Sequence, residues 1–266
     1  MPTPDLEADV IERSLRGCVI GGQVCYHDSL GSTMQEARSL AENGRPEGTV
    51  VVAEEQTAGR GRFGRSWVAP RGLDLLFSVV LQPAAAQLRY VNMAASLAIC
   101  STVSEVCGLE AMVKWPNDVR IGGRKVAGIL IDSVAEGPRL RYAVLGIGLN
   151  VNSDPTQTLE IVATATSLRN ETSRRLHRGE VLVSLLGQLD ILYREIKNGV
   201  SLTERWAKQV ETIGKSVQVR WGGRVHEGFA RDVDDEGNLV LVQRDGTALT
   251  MVAGEVTLQE QPRAGH

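Results

Sequence analysis

The chain has 266 residues, of which 42% are hydrophobic and 23% charged, and its formal net charge is −3. This length allows one large core or a large and a small domain, and the composition is ordinary for a globular protein. Because the net charge is slightly negative, bulk charge predicts no affinity for nucleic acid, and any phosphate chemistry requires a local cluster of cations.

The first quarter of the chain predicts two helices and a strand. Residues 6–20 form a short helical pattern, and a second helix begins at Ser32. Ser32 can act as its N-cap, with Gln35 at the position of the reciprocal partner in a capping box. Residues 43–44, Asn-Gly, are a typical helix end. The β-branched run at 49–53 predicts a buried strand.

The elements up to about residue 211 alternate between apolar strands and amphipathic helices. They are predicted as strand 73–81, helix 88–106, strands 111–115, 125–134 and 139–151, a polar loop-like stretch 152–177, and helices 180–197 and 202–210. Glu136-Gly137-Pro138 predicts a hairpin between two of these strands. Because the strands follow one another through hairpins, we expect an α+β fold with a mainly antiparallel or mixed sheet.

After about residue 212 the pattern changes to short alternating strands separated by glycine-containing turns. Five or so strands within about 50 residues predict a small β-barrel. We therefore expect a larger α+β domain over 1–211 and a small C-terminal barrel over 212–266. Acidic and basic residues nearly balance in the barrel, and only Trp221 and Phe229 offer stacking surfaces, so it is not expected to bind nucleic acid.

The N-terminus and the cysteines bear on the cellular compartment, and the histidines on metal binding. The N-terminus lacks the basic start and apolar run of a signal peptide, and no stretch approaches the roughly 20 apolar residues of a spanning helix. The four cysteines form no CxxC pair, so we expect a reduced, cytoplasmic protein without membrane partners. The histidines are scattered, and no metal ligands are assigned.

Residues 59–66, Gly-Arg-Gly-Arg-Phe-Gly-Arg-Ser, are the most informative stretch. They contain a GxGxxG pattern and miss a Walker A motif by one residue, but both motifs require a helix directly after the loop. Here Pro70 and a strand follow. What remains is a flexible loop with three arginines, whose guanidinium groups bind phosphate and carboxylate oxygens in pairs. A solvated basic loop or a nucleic-acid site is the alternative.

Three further motifs combine polar residues with predicted strands. Residues 114–118, Lys-Trp-Pro-Asn-Asp, end a strand in a turn. Lys125 starts the strand of Lys-Val-Ala-Gly-Ile-Leu at 125–130, where a lysine usually extends to solvent. Residues 146–150, Gly-Ile-Gly-Leu-Asn, place two glycines inside a strand, which favours the close approach of a ligand or another backbone.

Taken together, these motifs closely resemble the biotin protein ligase family in order and approximate spacing. The resemblance covers about residues 28–258, and the pair formed by 59–65 and 114–118 is highly specific. It implies a catalytic domain related to class II aminoacyl-tRNA synthetases and an SH3-like C-terminal barrel. It also implies two steps: biotin and MgATP form biotinyl-5′-adenylate, and a lysine of a biotin carboxyl carrier protein then attacks it.

The resemblance also implies roles for individual residues. Contacts to biotin are implied for Ser32, Thr33, Gln56, Gly59, Arg60, Gly61, Arg62, Lys125, Gly128, Gly146 and Gly148. Contacts to ATP or the adenylate are implied for Arg60, Arg62, Arg65, Trp67, Lys114, Asn117 and Asn150. Catalytic roles are implied for Lys125, Arg60, Arg62 and Asp118. Asp118 is a candidate to position or deprotonate the incoming lysine, and the alternative is that it only holds the turn.

Two departures from the family pattern matter. The family usually continues Ser-Thr with asparagine, but Met34 stands here, which puts one polar contact near biotin in doubt. Some members carry an N-terminal DNA-binding domain, and the roughly 27 residues before the resemblance are too few for one. We therefore expect a ligase without DNA binding, and a homodimer is compatible with the sequence.

Three rival functions are considered. A lipoate–protein ligase shares the fold class and the adenylate mechanism, but the motifs at 59–65 and 114–118 favour biotin. A non-catalytic biotin-sensing regulator is disfavoured by the complete set of motifs. Generic RNA binding through the arginine loop predicts binding that does not depend on biotin.

Overall fold

The computed structural model describes residues 5–137, 139–155 and 164–258, and these form two β-sheets with six α-helices. The larger sheet consists of β1 (Val24–His27), β2 (Val50–Ala53), β3 (Leu75–Leu81), β4 (Met112–Lys114), β5 (Asp118–Ile121), β6 (Arg124–Glu136) and β7 (Arg139–Leu149). Its strand order is β1-β2-β3-β7-β6-β5-β4. Among the described strands of this sheet, β1 and β2 are the one pair that runs in parallel, which confirms the α+β fold with a mixed, mainly antiparallel sheet.

The helices are α1 (Ala8–Ser14), α2 (Thr33–Glu42), α3 (Leu88–Cys107), α4 (Leu168–Thr172), α5 (Arg178–Lys197) and α6 (Thr203–Ala207). α3 and α5 pack on one face of the larger sheet, over a core that includes Phe77, Leu145 and Leu149. α2 covers the opposite face, over a smaller cluster that includes Met34 and Val80. Because the sheet is covered on both faces, all seven residues of β3 are buried, as its almost continuous apolar sequence predicts.

Several local expectations are corrected by the structure. The predicted helix 6–20 covers only Ala8–Ser14, and Gly17 follows it with φ of 90°. The strands β1 and β5 and the short helix α4 were not predicted, because each has only four or five residues and a mixed polar sequence. Glu136 pairs with Arg139, which confirms the hairpin, although Pro138 and residues 156–163 of the predicted loop lie outside the described residues.

The second sheet consists of β8 (Ser216–Trp221), β9 (Arg224–Val233), β10 (Leu239–Val242), β11 (Ala248–Met251) and β12 (Glu255–Leu258). These five antiparallel strands have the order β11-β10-β9-β8-β12 and match the predicted number. The sheet contacts the first one through Trp115, which is 2% exposed and donates a hydrogen bond from Nε1 to the Gly237 carbonyl (2.9 Å). The second sheet thus supports the turn that follows β4.

The sequence predicts no membrane-spanning helix, and α3 is the helix on which this prediction depends. Among the residues that the structure describes, one helical stretch, Ala85–Cys107, is long and apolar enough to cross a membrane by length and composition. However, 61% of its most apolar window is buried inside the protein, where it packs against α5 and the sheet. Burial of this kind is typical of a core helix.

Candidate functional site

A cleft of about 950 Å³ lies on the α2 side of the larger sheet. Its floor is formed by β3, β6 and β7, and the arginine loop 59–66 lies over it. The second sheet contributes to its rim through Gly254, Glu255 and Val256. The cleft therefore brings together segments that are up to about 220 residues apart in the chain.

The glycines of β6 and β7 have no side chains that would project into the cleft. Gly148 pairs with Gly128 across β7 and β6, and the indole of Trp67 lies over both. A Cβ atom at Gly128 would lie 2.7 Å from Trp67 Cζ3, and one at Gly146 would lie 2.8 Å from Met34 Sδ. Real Cβ atoms do not approach other atoms this closely, so side chains here would displace the cleft wall.

One end of the cleft is lined by neutral hydrogen-bonding groups. Thr33 Oγ1 lies 3.1 Å from Gln56 Oε1 and 2.8 Å from Ser78 Oγ, and the Thr33 amide donates to Gln56 Oε1 (2.8 Å). Ser32 occupies the N-cap position of α2, but its side chain makes no cap hydrogen bond, so the predicted capping box is absent. Instead its hydroxyl is buried and has no hydrogen-bond partner among the residues that the structure describes.

The other end of the cleft carries cations. Lys125 Nζ lies 2.7 Å from Asp118 Oδ1 and 5.3 Å from the centre of the Trp67 ring. Arg62 donates from Nη1 to Asn117 Oδ1 (2.8 Å), and Asn117 is itself held through Nδ2 on the Ile129 carbonyl (2.7 Å). Two neighbouring residues at the turn after β4, Asn117 and Asp118, thus hold one loop arginine and one strand lysine.

Burial lowers the pKa of two cations that line the cleft, Arg62 and Lys114. It lowers the pKa of the Arg62 guanidinium, with Asp118 and Glu255 opposing the change. It also lowers the pKa of the Lys114 ammonium, which Asp118 opposes as well. Both groups are therefore partly removed from water, where their attraction for an anionic ligand is stronger than at the surface.

The three arginines of the loop each have a partner in the structure. Arg60 pairs with Asp132 on β6 (3.2 Å), Arg65 with Glu255 of the second sheet (2.6 Å), and Arg62 with Asn117. Each loop arginine thus has a polar or acidic partner in the structure before any ligand binds. A short 3-10 turn at Arg62–Gly64 is followed by β3 and not by an α-helix, which confirms the rejection of the dinucleotide and P-loop motifs.

Nearly all of the residues predicted from the sequence line this one cleft. They are Ser32, Thr33, Gln56, Arg60, Gly61, Arg62, Arg65, Trp67, Lys114, Asn117, Asp118, Lys125, Gly128, Gly146, Gly148 and Asn150. Gly59 is not among the lining residues, because its Cα faces the backbone of Trp67, whose amide donates to the Gly59 carbonyl (3.0 Å). Gly59 thus allows the base of the loop to close.

Sequence reasoning missed Asp74, which lines the cleft, and Ser78, which shares a hydrogen bond with Thr33 of the cleft. Ser78 was absorbed into the apolar run of β3, although a serine in a fully buried strand is a signal in itself. Asp74 accepts hydrogen bonds at Oδ1 from the amides of Val151 (2.8 Å) and Ser153 (3.2 Å). Burial raises the pKa of this carboxyl despite those bonds. Asp74 therefore holds the segment that follows Asn150 against the floor.

Two polar atoms in the cleft point to a ligand. Ser32 Oγ and Trp67 Nε1 are both buried and have no hydrogen-bond partner among the described residues. Such groups are costly to leave unpaired. Within the described ranges, no group of three or more His, Cys, Asp or Glu side chains could hold a metal ion.

Comparisons with known proteins agree on one family. Residues 26–150 match the family model described as biotin/lipoate A/B protein ligase family, and residues 212–258 match that of the biotin protein ligase C terminal domain. The chain is 35% identical over 246 residues to the bifunctional ligase/repressor BirA of Bacillus subtilis (strain 168), covering 91% of this chain and 76% of that one.

Two further relatives cover most of their own length. The biotin--[acetyl-CoA-carboxylase] ligase of Mycobacterium tuberculosis (strain ATCC 25618 / H37Rv) is 34% identical over 259 residues, which are 92% of this chain and 94% of that one. Among solved structures, the biotin protein ligase from Aquifex aeolicus in complex with biotin and ATP has a TM-score of 0.75 and 26% identity. The match covers 90% of this chain and 99% of that one.

Proposed function

Because the chain belongs to the biotin protein ligase family, we propose that its cleft joins biotin to ATP and then transfers biotin to a lysine of an acceptor protein. In the first step, a carboxylate oxygen of biotin attacks the α-phosphorus of ATP, biotinyl-5′-adenylate forms and pyrophosphate leaves. In the second step, the amine of the acceptor lysine attacks the carbonyl carbon of this mixed anhydride. An amide forms, AMP leaves and the amine loses a proton.

The observation that carries this proposal is one cleft with two chemically different ends. The neutral end, at Ser32, Thr33 and Gln56, suits the ureido ring of biotin, which needs both donors and acceptors. The unpartnered hydroxyl of Ser32 is available for that ring. The glycines at 128, 146 and 148 leave room for a flat bicyclic ligand beside the sheet. The valeryl tail then runs towards Lys125.

The cationic end suits adenylation. Biotin carboxylate and ATP are both anions and repel each other, so cations must hold the carboxylate beside the α-phosphate. Lys125 and Arg62 are the groups of this end assigned to this task. Arg60 of the same loop is assigned to it as well, although in this structure its side chain pairs with Asp132 beside the neutral end. Negative charge builds on the phosphate as pyrophosphate leaves, and cations fixed in a partly buried site stabilise it. Lys114, Arg65, Asn117 and Asn150 are assigned to the nucleotide.

Transfer requires a group near the mixed anhydride that accepts or directs a proton. Asp118 is assigned to this role, because its carboxylate lies 2.7 Å from Lys125 Nζ and lines the same cleft. The pairing also gives Asp118 a second task, which is to hold Lys125 in place before the substrates bind. The loop 59–66 keeps water from the anhydride when it lies over the cleft.

Magnesium is proposed to enter with the phosphates of ATP. Mg²⁺ usually keeps several waters and is bound by one or two carboxylates together with substrate phosphates. When bound, the ion neutralises phosphate charge, and the residues of this chain orient the carboxylate and exclude water.

The finer architecture and the partners are also part of the proposal. The larger sheet with its helices is assigned to a class II aminoacyl-tRNA synthetase-like catalytic domain over 1–211, and the second sheet to an SH3-like barrel over 212–266. The acceptor is a biotin carboxyl carrier protein or domain. The protein is assigned to the cytoplasm, which the four cysteines without disulfides support, and without nucleic acid as a partner. A homodimer remains compatible with these assignments.

A direct test uses the purified protein with biotin, MgATP and a biotin carboxyl carrier domain. The expected result is a mass gain of one biotin on the acceptor lysine and release of pyrophosphate that depends on biotin. Lipoate in place of biotin separates the lipoate ligase function, and pyrophosphate release separates an enzyme from a biotin-sensing regulator. No mass gain on the acceptor with biotin would refute the proposal.

A further inference from the structure

A second, smaller cavity of about 250 Å³ lies directly beside the neutral end of the cleft. It is lined by Met34, Gln35, Arg38, Arg60, Asp132, Val134, Tyr142 and Val144. Met34 and Arg60 line both the cleft and this cavity. These two side chains therefore form the partition between the two spaces.

Of the two side chains in the partition, Met34 is the buried one. It is 6% exposed, it packs in the small core under α2, and its Cγ and Sδ lie against Gly146 on the cleft floor. Methionine is unbranched, with three rotatable bonds, and it fills irregular gaps. Its side chain can therefore move without a change in the backbone.

The cavity behind Met34 has both polar and apolar walls. Tyr142 donates a hydrogen bond to Glu42 (2.9 Å), and Arg60 pairs with Asp132, while Val134 and Val144 are apolar. A small polar substituent on a ligand would find a hydroxyl and a guanidinium there. The cavity is large enough for several non-hydrogen atoms, since one water occupies roughly 30 Å³ in the liquid.

We propose that Met34 determines the specificity of the ring-binding end, by closing the cavity behind it and so limiting the size of the bicyclic head group. This inference rests on the proposed function, because it assigns the neutral end of the cleft to the ring system of biotin. A smaller residue at position 34 opens the partition and joins the cavity to the cleft. The ligand class that then fits is a biotin analogue enlarged on its rings.

The test compares the wild-type protein with Met34→Ala and Met34→Val, using adenylate formation at several concentrations of each ligand. The probes are biotin, biotin sulfone (enlarged at the ring sulfur) and a biotin methylated on a ureido nitrogen. For at least one enlarged probe, kcat/KM relative to biotin should rise about tenfold or more in Met34→Ala, the scale of one added group in a fitted pocket. Met34→Val should show a smaller rise for the same probe.

Three controls test whether a gain in kcat/KM for an enlarged probe depends on the second cavity. Met34→Leu keeps the volume of the side chain and should leave the preference within about threefold of wild type. Homobiotin, which is lengthened by one methylene in the tail, should gain nothing, because the tail points towards Lys125. The double variant Met34→Ala with Val134→Phe refills the cavity from its half-buried far wall and should abolish the gain.

The inference is overturned if neither enlarged probe gains in Met34→Ala or Met34→Val, or if the gain survives Val134→Phe. A cooperative melting transition of each variant ensures that a loss reflects the site and not unfolding. Failure of the proposed function is a separate result, since the wild-type protein would then form no adenylate from biotin itself. The wild-type reaction with biotin is therefore measured first.

Discussion

At the scale of single residues, the cleft is organised by pairs that connect distant parts of the chain. Lys125 pairs with Asp118, and Arg62 with Asn117, so that both cations are oriented by the turn after β4. Lys125 also lies over the Trp67 ring, where a cation is attracted by the π-system. These contacts hold the cations in position before any anion binds, which lowers the cost of ordering them afterwards.

Lys125→Ala is expected to slow adenylate formation about 10²–10³-fold, because removing one contact to developing charge commonly costs about 2.7–4 kcal/mol. Arg60→Ala should act in the same direction. The measurement is biotin-dependent pyrophosphate release. The matched control is Lys208→Ala, whose side chain is 71% exposed and pairs only within its own helical segment in the described contacts. A Lys125→Ala protein as active as this control would show that the assignment is wrong.

Asp118→Asn tests the two tasks of Asp118 separately. As a proton acceptor in the transfer step it should contribute about 10²–10⁴-fold to transfer, so the variant should lose transfer from purified biotinyl-5′-adenylate by at least that lower factor. Adenylate formation should fall less, because an amide oxygen can still accept a hydrogen bond from Lys125. Equal losses in both half-reactions would show that Asp118 acts only by positioning Lys125.

At the scale of elements, the loop 59–66 lies over the cleft and is held by contacts at its three arginines. The pairs with Asp132 and Glu255 involve side chains that are 39% to 65% exposed, and exposed ion pairs contribute about 0–1 kcal/mol each. The backbone contains three glycines, and Phe63 adopts a positive φ of 57°, which is unfavourable for a residue with a side chain. The loop is thus closed by weak contacts.

Trypsin should cut the free protein at Arg60, Arg62 or Arg65, and biotinyl-5′-adenylate should slow the cutting at these sites, because the adenylate gives the arginines an anionic partner. The internal control is Arg244, an exposed residue in a turn of the second sheet, whose cleavage should not respond to the ligand. Equal rates at the loop with and without saturating adenylate would exclude ligand-induced ordering.

A second element-scale feature is the buried ion cluster that joins the N-terminal segment, the end of β2 and the start of α5. Arg178, with a side chain 4% exposed, pairs with Asp5 and with Glu54 Oε2 (2.7 Å). Burial alone would raise the pKa of Asp5, but the hydrogen bonds and charge of Arg178 outweigh it and lower that pKa. The stabilisation from Asp5 is therefore present above the unfolded pKa of about 3.9 and is lost as the pH falls through the lower folded pKa.

Arg178→Met should reduce the free energy of unfolding at pH 7 by about 3–5 kcal/mol, because it leaves carboxylates buried without a partner. Arg13→Met is the control, since Arg13 and Asp9 form a pair with side chains 64% and 76% exposed, and loss of such a pair costs at most about 1 kcal/mol. Denaturant unfolding measures both changes. Similar losses in the two variants would contradict this account.

At the scale of the whole molecule, the second sheet supports the cleft. Trp115 is held by the Gly237 carbonyl and, through its amide, by Thr212 Oγ1 (3.0 Å). Arg89 of α3 pairs with Glu236, and Glu255 reaches the loop at Arg65. Residues 114–118 therefore depend on the second sheet for their position, and the rim of the cleft is incomplete without it.

A chain that ends at residue 211 is expected to lose ligase activity even if it folds, because the support for Trp115 and the partner of Arg65 are absent. Gly237→Val in the full-length chain is a companion variant: a Cβ there would lie 2.6 Å from Met93 Cε, at a φ of 79°. It should lower activity by displacing the same contact. A shortened protein that melts cooperatively and biotinylates the acceptor at the full-length rate would contradict this role.

The sequence by itself determined the main elements and the chemistry of the cleft. Apolar periodicity predicted β2, β3, β6, β7, α3 and α5, because burial of a face repeats at the period of a helix or strand. The arginines at 60, 62 and 65 and the lysine at 125 identified anion chemistry, because the functional groups are properties of the residues themselves. Short elements such as β1 and β5 carry too few residues to produce a pattern.

Only the tertiary structure decided which of these groups meet. Ser78 lies beside Thr33, and Glu255 beside Arg65, across 45 and 190 residues of chain, and no local pattern encodes such distances. The same holds for Ser32, whose hydroxyl faces the cleft instead of capping α2, and for Met34, which separates two cavities. These outcomes depend on how the sheet, α2 and the second sheet pack together, because contacts between elements are selected by the packing of the whole core and not by the residues on either side of them.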